Sequence, residues 1–149
     1  MTLPPLPLDA IEIGATAADW RAAVRVAGAG LVRSGAATAG YADEMIRMIE
    51  EHGPYVVIAP GLALAHARPG TSVVADGLAI ATLTEPVDFG HPHNDPVRVV
   101  LALAIAAPDE HLAAVAALAN VFNDSSAIDD LATASSAAEV QRIMGAVEL

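Results

Sequence analysis

The stretch GPYVVIAPGLALAHARPG, from Gly53 to Gly70, carries the strongest structural signals in this chain of 149 residues. Its apolar, β-branched run from Tyr55 to Ala59 predicts a buried strand, which the turn-forming pair Pro60-Gly61 ends. A second apolar run, Leu62 to Ala65, predicts another short strand that leads directly to His66. The stretch therefore indicates a sheet-based fold with a histidine at the exit of a strand.

The residues that follow this strand are suited to phosphate chemistry. A neutral imidazole such as that of His66 can attack a phosphoryl group, and the guanidinium of Arg68 can hold the phosphoryl oxygens as charge redistributes. Ala67 to Gly70 is typical of a loop, so its backbone N–H groups are expected to be free to contribute. His66 and Arg68 are therefore candidate catalytic residues.

His111 is the third candidate catalytic residue. It follows the segment from Val97 to Ala106, which is apolar on both faces and predicts a central strand covered by helices on both sides. In the first turn of the next predicted helix, the positive end of the helix dipole would lower the pKa of His111 and keep it neutral. A neutral His111 can hydrogen-bond a phosphoryl oxygen or hold the imidazole of His66. A surface residue without a catalytic role is the alternative.

The other three histidines receive simpler interpretations. His91 and His93, with Asp95 nearby, have the residue types of a metal site, but the sequence favours a solvated loop near the active face. We therefore expect no bound metal, with a metal site as the minor alternative. His52 ends a predicted helix and is interpreted as an ordinary cation of a C-terminal turn.

Strands and helices alternate along the chain, which predicts an α/β fold. Besides the two strands already described, strands are predicted at Ala10–Ile13, Gly77–Leu83 and Val97–Ala106, with a turn at Thr84-Glu85-Pro86. The predicted helices run from an N-cap at Thr16 to Ser34-Gly35, from Ala39 to His52, from a cap at Asp109 to Phe122, from Asp124 to Ala134, and onward from Ser136. Leu112, Val115, Ala119 and Phe122 are expected to be the buried stripe of the third helix. No repeat or linker interrupts the pattern, so residues 1–149 are interpreted as a single domain.

The segment around His66 resembles the active-site signature of type-2 EIIA domains, the mannitol/fructose class of the bacterial phosphoenolpyruvate-dependent sugar phosphotransferase system, and is most similar to the L-ascorbate type. The matching residues are Gly53-Pro54-Tyr55, Ile58 to Ala63, His66, Arg68-Pro69, Asn94 to Val97 and Glu110-His111. The resemblance implies a three-layer α/β/α sandwich with a mixed central sheet. Ala65 stands where the family usually has proline, and a less rigid loop is expected there.

The resemblance also implies a function. The protein would be a phosphotransferase component that accepts a phosphoryl group from phospho-HPr on His66, with a phosphohistidine intermediate. It would pass the group to an EIIB partner, for uptake of ascorbate or a related sugar acid or pentitol, without a cofactor. His66, Arg68 and His111 would be the catalytic residues, and an apolar ring that includes Leu62, Leu64 and Ala65 would be the docking surface.

Two alternatives to this function stay open. One is a regulatory EIIA-like phospho-switch, and the other is a degenerate binding module without a transport role, which the Ala65 substitution suggests. The sequence also leaves open whether the chain forms a homodimer.

The composition narrows the partners and the location. A formal net charge of -11 and a pI near 4.5 disfavour nucleic acid and anionic lipid as partners. The absence of cysteine excludes disulfides and a thiol nucleophile and fits a reducing compartment. The longest apolar stretch, Val99 to Ala107, is far shorter than the roughly 20 residues that cross a bilayer, and Met1 to Leu8 lacks the basic region of a signal peptide. We therefore expect a cytoplasmic protein that does not insert into the membrane.

Overall fold

A mixed sheet of five strands forms the centre of the protein. The computed structural model describes residues 3–123 and 126–145, and within them the strand order is β1-β4-β5-β3-β2. β1 is parallel to β4 and β3 is parallel to β5, whereas the pairs β4–β5 and β2–β3 are antiparallel. The strands are β1 (Ile11–Ala15), β2 (Val57–Ala59), β3 (Leu62–His66), β4 (Gly77–Val87) and β5 (Val97–Ala104).

Helices cover both faces of this sheet. They are α1 (Trp20–Arg33), α2 (Tyr41–His52), α3 (Pro108–Val121), α4 (Ser126–Ala132) and α5 (Ala137–Met144). α1 packs on β4 and β5 and also contacts α2. α4 packs on the same two strands, and α5 packs on β1. The three-layer α/β/α sandwich with a mixed sheet is thus confirmed. Among the described residues, no helix combines the length and the apolar character that a membrane span requires.

The close approach of α1 to the sheet depends on a glycine. A Cβ atom at Gly30 would lie 2.9 Å from both the carbonyl oxygen of Ala10 and the Cβ of Ala79, which is closer than real Cβ atoms pack. Gly30 therefore lets the helix backbone rest directly on Ala79 of β4 and on the main chain of Ala10, just before β1.

β5 is the central strand, as its apolar pattern predicts. Every residue from Val99 to Ala104 is inaccessible to solvent. In the parallel pairing of β3 with β5, His66 lies opposite Leu103 and Leu62 opposite Val99. The carboxyl ends of both strands therefore meet at one edge of the sheet. Since α3 begins shortly after β5, this edge also receives the first turn of α3.

The turn predicted at Thr84-Glu85-Pro86 is wrong. β4 continues through these residues to Val87, and its pairing with β5 is irregular between Thr82 and Val87. The side chains of residues 84–86 are exposed. Proline is tolerated in a strand where the ladder is interrupted, because its missing N–H then breaks no pairing. The strand continues through the predicted turn because β4 pairs with β5 on both sides of it, at Thr82 and at Val87.

Both predicted caps, at Thr16 and Asp109, are wrong by a few residues. α1 is capped by Asp19, whose carboxylate accepts the N–H of Ala22 at 2.9 Å. α3 begins at Pro108, and Asp109 lies within its first turn. Proline is favoured at this position because its fixed φ suits a helix and its missing N–H would have had no partner.

The buried face of α3 also differs from the prediction. Phe122 is buried and Val115 is partly buried, as predicted, but Leu112 is 80% exposed and Ala119 is exposed. Ala114 and Leu118 are buried instead. α3 is rich in alanine on all sides, so its sequence does not define one apolar stripe. Asp124, the predicted start of the following helix, lies outside the described residues.

Candidate active site

His66 is the last residue of β3, and its ring is partly buried. Its Nδ1 atom lies 2.9 Å from the carbonyl oxygen of Leu64. Because a carbonyl oxygen can only accept a hydrogen bond, Nδ1 carries the proton and Nε2 keeps its lone pair. Burial lowers the pKa of His66, and nearby His111 lowers it further, although the bond to Leu64 acts in the opposite direction. His66 is therefore neutral near pH 7, with Nε2 as its nucleophilic nitrogen.

Aromatic rings lie on both sides of this imidazole. The ring of Tyr55 meets it edge-on at a centroid distance of 5.6 Å, and the ring of His111 lies at 5.2 Å with a tilt of 54°. Tyr55 in turn contacts the ring of His52 at 6.3 Å, again edge-on. These contacts limit the orientations that the ring of His66 can adopt.

His111 lies in the first turn of α3, as predicted, and the fold brings it beside His66. Burial lowers its pKa, which is the expected direction, although desolvation rather than the helix end is the cause. Its Nε2 atom is shielded from solvent and has no hydrogen-bond partner within the described part of the chain. A buried polar atom of this kind is ready to bond to an atom of a ligand.

A cavity of about 390 Å³ opens over His66. Among the described residues, its lining holds three imidazoles and one guanidinium but no carboxylate, although the chain carries a net charge of -11. The cavity is therefore suited to a small anion. Its lining residues are Met48, His52, Tyr55, His66, Ala67, Arg68 and His111.

Arg68 is exposed on the loop after β3 and lines this cavity. Its guanidinium forms no ion pair with any residue in the ranges 3–123 and 126–145. Burial raises the pKa of Tyr55, and the positive charge of Arg68 partly offsets this rise, so the two side chains share one electrostatic environment. Arg68 is thus an unpaired cation beside His66.

The sequence interpretation missed three residues of the cavity. Tyr55 lies in the turn before β2 rather than in a strand, and its ring faces His66. Met48 and His52 reach the cavity from the last turns of α2. The available signal for Tyr55 was its place in the Gly53-Pro54-Tyr55 motif. Nothing local marks Met48 or His52, because their approach to His66 depends on how α2 packs.

The predicted position of the loop with His91 and His93 is wrong. This loop leads into β5 at Val97, beside the start of β3, whereas His66 ends β3. Leu62 and His66 are four residue steps apart in β3, which at about 3.3 Å per step corresponds to about 13 Å. The loop therefore lies at the opposite edge of the sheet from the cavity, rather than near the active face.

The side chains of this loop hold its own backbone. The carboxylate of Asp95 accepts the N–H groups of Phe89, Gly90 and His91 at 3.0, 2.7 and 3.0 Å. Nδ1 of His91 accepts the N–H groups of His93 and Asn94 at 3.1 and 3.0 Å. Within the described residues, no three metal-ligating side chains come together. These groups are therefore engaged in shaping the loop.

Replacing Asp95 with alanine is expected to lower the free energy of unfolding by about 3 kcal/mol, because three backbone N–H groups lose a charged acceptor. Urea denaturation measures the loss. The matched control is Asp88→Ala, which removes an exposed carboxylate from the same region and should cost less than about 0.5 kcal/mol. Equal small losses, or a divalent metal that stabilises the wild type but not the Asp95 variant, would contradict this structural role.

The docking ring predicted from Leu62, Leu64 and Ala65 is wrong. These residues are 0%, 1% and 0% exposed, because β3 lies between β2 and β5 under the covering helices. Ala65 pairs with Ala102 within the ladder, so the sheet holds it and no loose loop results. Exposed apolar side chains at the cavity are those of Tyr55, which lines it, and of Leu112, the neighbour of the lining residue His111.

The expectation of free backbone N–H groups after His66 is wrong at Ala67. The N–H of Ala67 donates to the hydroxyl of Tyr41 at 3.1 Å. Tyr41 belongs to α2, so this bond could be seen only after the helix had been placed against the sheet.

Known proteins are similar to the chain in both sequence and fold. The family model for the phosphoenolpyruvate-dependent sugar phosphotransferase system, EIIA 2, matches residues 5–146. The Ascorbate-specific PTS system EIIA component of Shigella boydii serotype 4 (strain Sb227) is 34% identical over 122 residues, covering 81% of this chain and 79% of that protein. The crystal structure of IIA mannitol from Escherichia coli matches with a TM-score of 0.81 at 27% identity, over 93% of this chain and 97% of that one.

A further solved structure contains a partner. It is the complex of enzyme IIAMTL and phosphorylated enzyme IIBMTL from Escherichia coli, which matches with a TM-score of 0.79 at 26% identity, over 95% of this chain and 99% of that one. The family match covers nearly the whole chain, and the fold matches in the same way. The chain therefore belongs to the EIIA 2 family of the phosphoenolpyruvate-dependent sugar phosphotransferase system, whose components act in phosphoryl transfer.

Proposed function

We propose that the protein is a phosphocarrier that accepts a phosphoryl group on Nε2 of His66 from phospho-HPr and passes it to an EIIB partner. The observation that carries the proposal is the tautomer of His66, with Nδ1 bonded to Leu64 and Nε2 left as the nucleophile of an anion-suited cavity. The ascorbate-specific relative supports ascorbate, or a related sugar acid or pentitol, as the transported sugar. The place of action would be the cytoplasm, where phosphoenolpyruvate is available.

The transfer step uses the groups that surround His66. Nε2 attacks the phosphorus atom of the phosphohistidine on the donor, and a new P–N bond forms as the old one breaks. The donor imidazole leaves with the electron pair of that bond. As positive charge develops on the ring of His66, the hydrogen bond from Nδ1 to Leu64 becomes stronger and stabilises it. The second transfer, to EIIB, is the same displacement with His66 as the leaving group.

Two side chains would bind the phosphoryl oxygens. Arg68 supplies an unpaired guanidinium, and its planar N–H groups suit two oxygens at once. The partnerless Nε2 of His111 would carry a proton and donate a hydrogen bond to a third oxygen, which would satisfy that buried atom. Neither group has to move far, because both already line the cavity.

The surface around the cavity supports a protein as both donor and acceptor. The cavity is open, so a second protein can reach Nε2, and Tyr55 and Leu112 offer exposed apolar area for docking. The related IIAMTL forms a complex with phosphorylated IIBMTL, which supports an EIIB protein as one partner.

The test is to incubate the protein with enzyme I, HPr and phosphoenolpyruvate and to follow its intact mass. We expect a gain of one phosphate that is lost in acid, as is typical of phosphohistidine. Nitrogen NMR of the labelled imidazole should place the phosphate on Nε2. A folded protein that gains no phosphate would contradict the proposal and favour a binding module, and a phosphate on Nδ1 would contradict the tautomer argument.

The reactivity of His66 is expected to fall only at acidic pH. Burial lowers the folded-state pKa of His66 below 6.5, so the imidazole is neutral at pH 6.5 and above. As the pH falls through the lowered pKa, the imidazole becomes protonated and loses its reactivity. An NMR titration of the His66 ring protons from about pH 8 to about pH 5 measures the midpoint directly. In His111→Gln the midpoint should move upward, because charge on His111 contributes to the lowering. A wild-type midpoint at or above 6.5 would contradict this assignment.

A further inference from the structure

The hydroxyl of Tyr41 lies beneath the candidate active site, and the residue is only 1% exposed. Its oxygen is 2.7 Å from the carbonyl oxygen of Leu103 and 3.1 Å from the backbone nitrogen of Ala67. The carbonyl oxygen of Ala67 is more distant, at 3.3 Å. Because a hydroxyl has one proton, it donates mainly to Leu103 and accepts the N–H of Ala67. One side chain of α2 thus joins the ends of β3 and β5.

The location of this link matters for the site. The pairing of β3 with β5 ends at His66 and Leu103, so Ala67 is the first residue beyond the ladder. Ala67 is also the residue between His66 and Arg68. A bond that fixes the backbone of Ala67 therefore fixes the main chain from which both candidate catalytic side chains project.

We propose that Tyr41 is a positioning residue for phosphoryl transfer, whose hydroxyl holds Ala67 so that His66 and Arg68 face the same phosphoryl group. This inference rests on the proposed phosphocarrier function. Tyr41 does not line the cavity, so it acts through Ala67 rather than on the phosphoryl group itself. The bond also occupies the N–H of Ala67, which leaves the oxygens of the group to Arg68 and His111.

The chemical state of Tyr41 is consistent with this role. Burial is the main cause that raises its pKa to about 12, so the phenol keeps its proton throughout the physiological range. The hydroxyl can therefore donate and accept at the same time at any pH at which the carrier works.

The test compares Tyr41→Phe with Thr82→Val. Thr82 is also buried, and its hydroxyl accepts the N–H of Gly14 at 2.9 Å, but it pairs with Val99 toward the other edge of the sheet. Both variants lose one buried hydroxyl that accepts a backbone N–H. The N–H of Ala67 is buried whereas Gly14 is exposed, so Tyr41→Phe should unfold about 5 °C lower and Thr82→Val should lose less. Only Tyr41→Phe should reduce the maximum rate of phosphorylation, by about tenfold.

The dependence of the phosphorylation rate on phospho-HPr concentration distinguishes a positioning role of Tyr41 from a role in docking the donor. Tyr41 is buried and does not reach a partner protein, so the apparent KM for phospho-HPr should stay within about twofold of the wild-type value. If Tyr41→Phe and Thr82→Val have the same maximum rate while the wild type is phosphorylated, the positioning role is overturned and the proposed function stands. If the wild type gains no phosphate, both are overturned.

A measurement on the wild type covers the case in which Tyr41→Phe does not fold. Hydrogen exchange of the Ala67 amide should stay slow before and after phosphorylation, because the hydroxyl of Tyr41 holds this N–H in both states. Loss of this protection on phosphorylation would show that the amide has left the hydroxyl of Tyr41, and would overturn the inference.

Discussion

His66→Ala is expected to abolish phosphorylation of the protein, because Nε2 of His66, the proposed nucleophile, is removed. The measurement is the intact mass after incubation with enzyme I, HPr and phosphoenolpyruvate. The variant should remain folded, because it loses one hydrogen bond at the end of a strand. This loss should lower the free energy of unfolding by about 1 kcal/mol.

Two other histidine variants serve as controls for this result. His93→Ala changes an exposed residue at the opposite edge of the sheet and should be phosphorylated like the wild type. His111→Ala keeps the nucleophile and should still gain one phosphate, but more slowly, because a donor to the phosphoryl oxygens is lost. An adduct of unchanged yield on His66→Ala would remove His66 from the mechanism.

Arg68→Ala is expected to slow phosphorylation by about a hundredfold while changing the free energy of unfolding by less than about 0.5 kcal/mol. The guanidinium is exposed and has no ion pair within the described residues, so folding does not depend on it. Transfer does depend on it, since no other guanidinium lines the cavity of His66. Single-turnover mass measurements and urea denaturation give the two quantities independently.

The chain offers a matched control in Arg47, which lies on α2 beside Arg68 but does not line the cavity of His66. Arg47→Ala removes the same charge from the same surface and should reduce the rate less than about threefold. Arg68→Lys keeps the charge but loses the planar fork, so an intermediate loss of about tenfold is expected. Parallel losses of stability and rate in Arg68→Ala would instead assign Arg68 a structural role.

Much of the fold was predictable from local pattern. The apolar run from Val97 to Ala106 predicted the buried central strand, and the Gly53-Pro54 pair marked the end of α2, where Gly53 adopts a φ of 83°. The predictions that failed did so where local signals compete with tertiary pairing. Pro86 indicated a turn but lies in β4 beside an interrupted ladder. Alanine-rich α3 presented no single apolar face, so packing alone decided that Leu112 points outward.

The sequence by itself determined which chemistry is available. A histidine at the end of β3 and an arginine two residues later can be read directly from the sequence. Residue types and their spacing are local properties of the chain, so no tertiary contact is needed to predict that these two side chains lie close together. Their family resemblance could be read from the same short motif, and the family match confirms it.

Only the tertiary structure decided how these groups work together. His111 lies 45 positions after His66, yet their rings approach within 5.2 Å because β3 and β5 are parallel neighbours whose ends meet at one edge. The same strand order places His91 and His93 at the opposite edge of the sheet. The packing of α2 on the sheet places the hydroxyl of Tyr41 within hydrogen-bond distance of the Ala67 N–H. Strand order and helix packing depend on burying the whole apolar surface at once, so no local stretch of sequence contains these contacts.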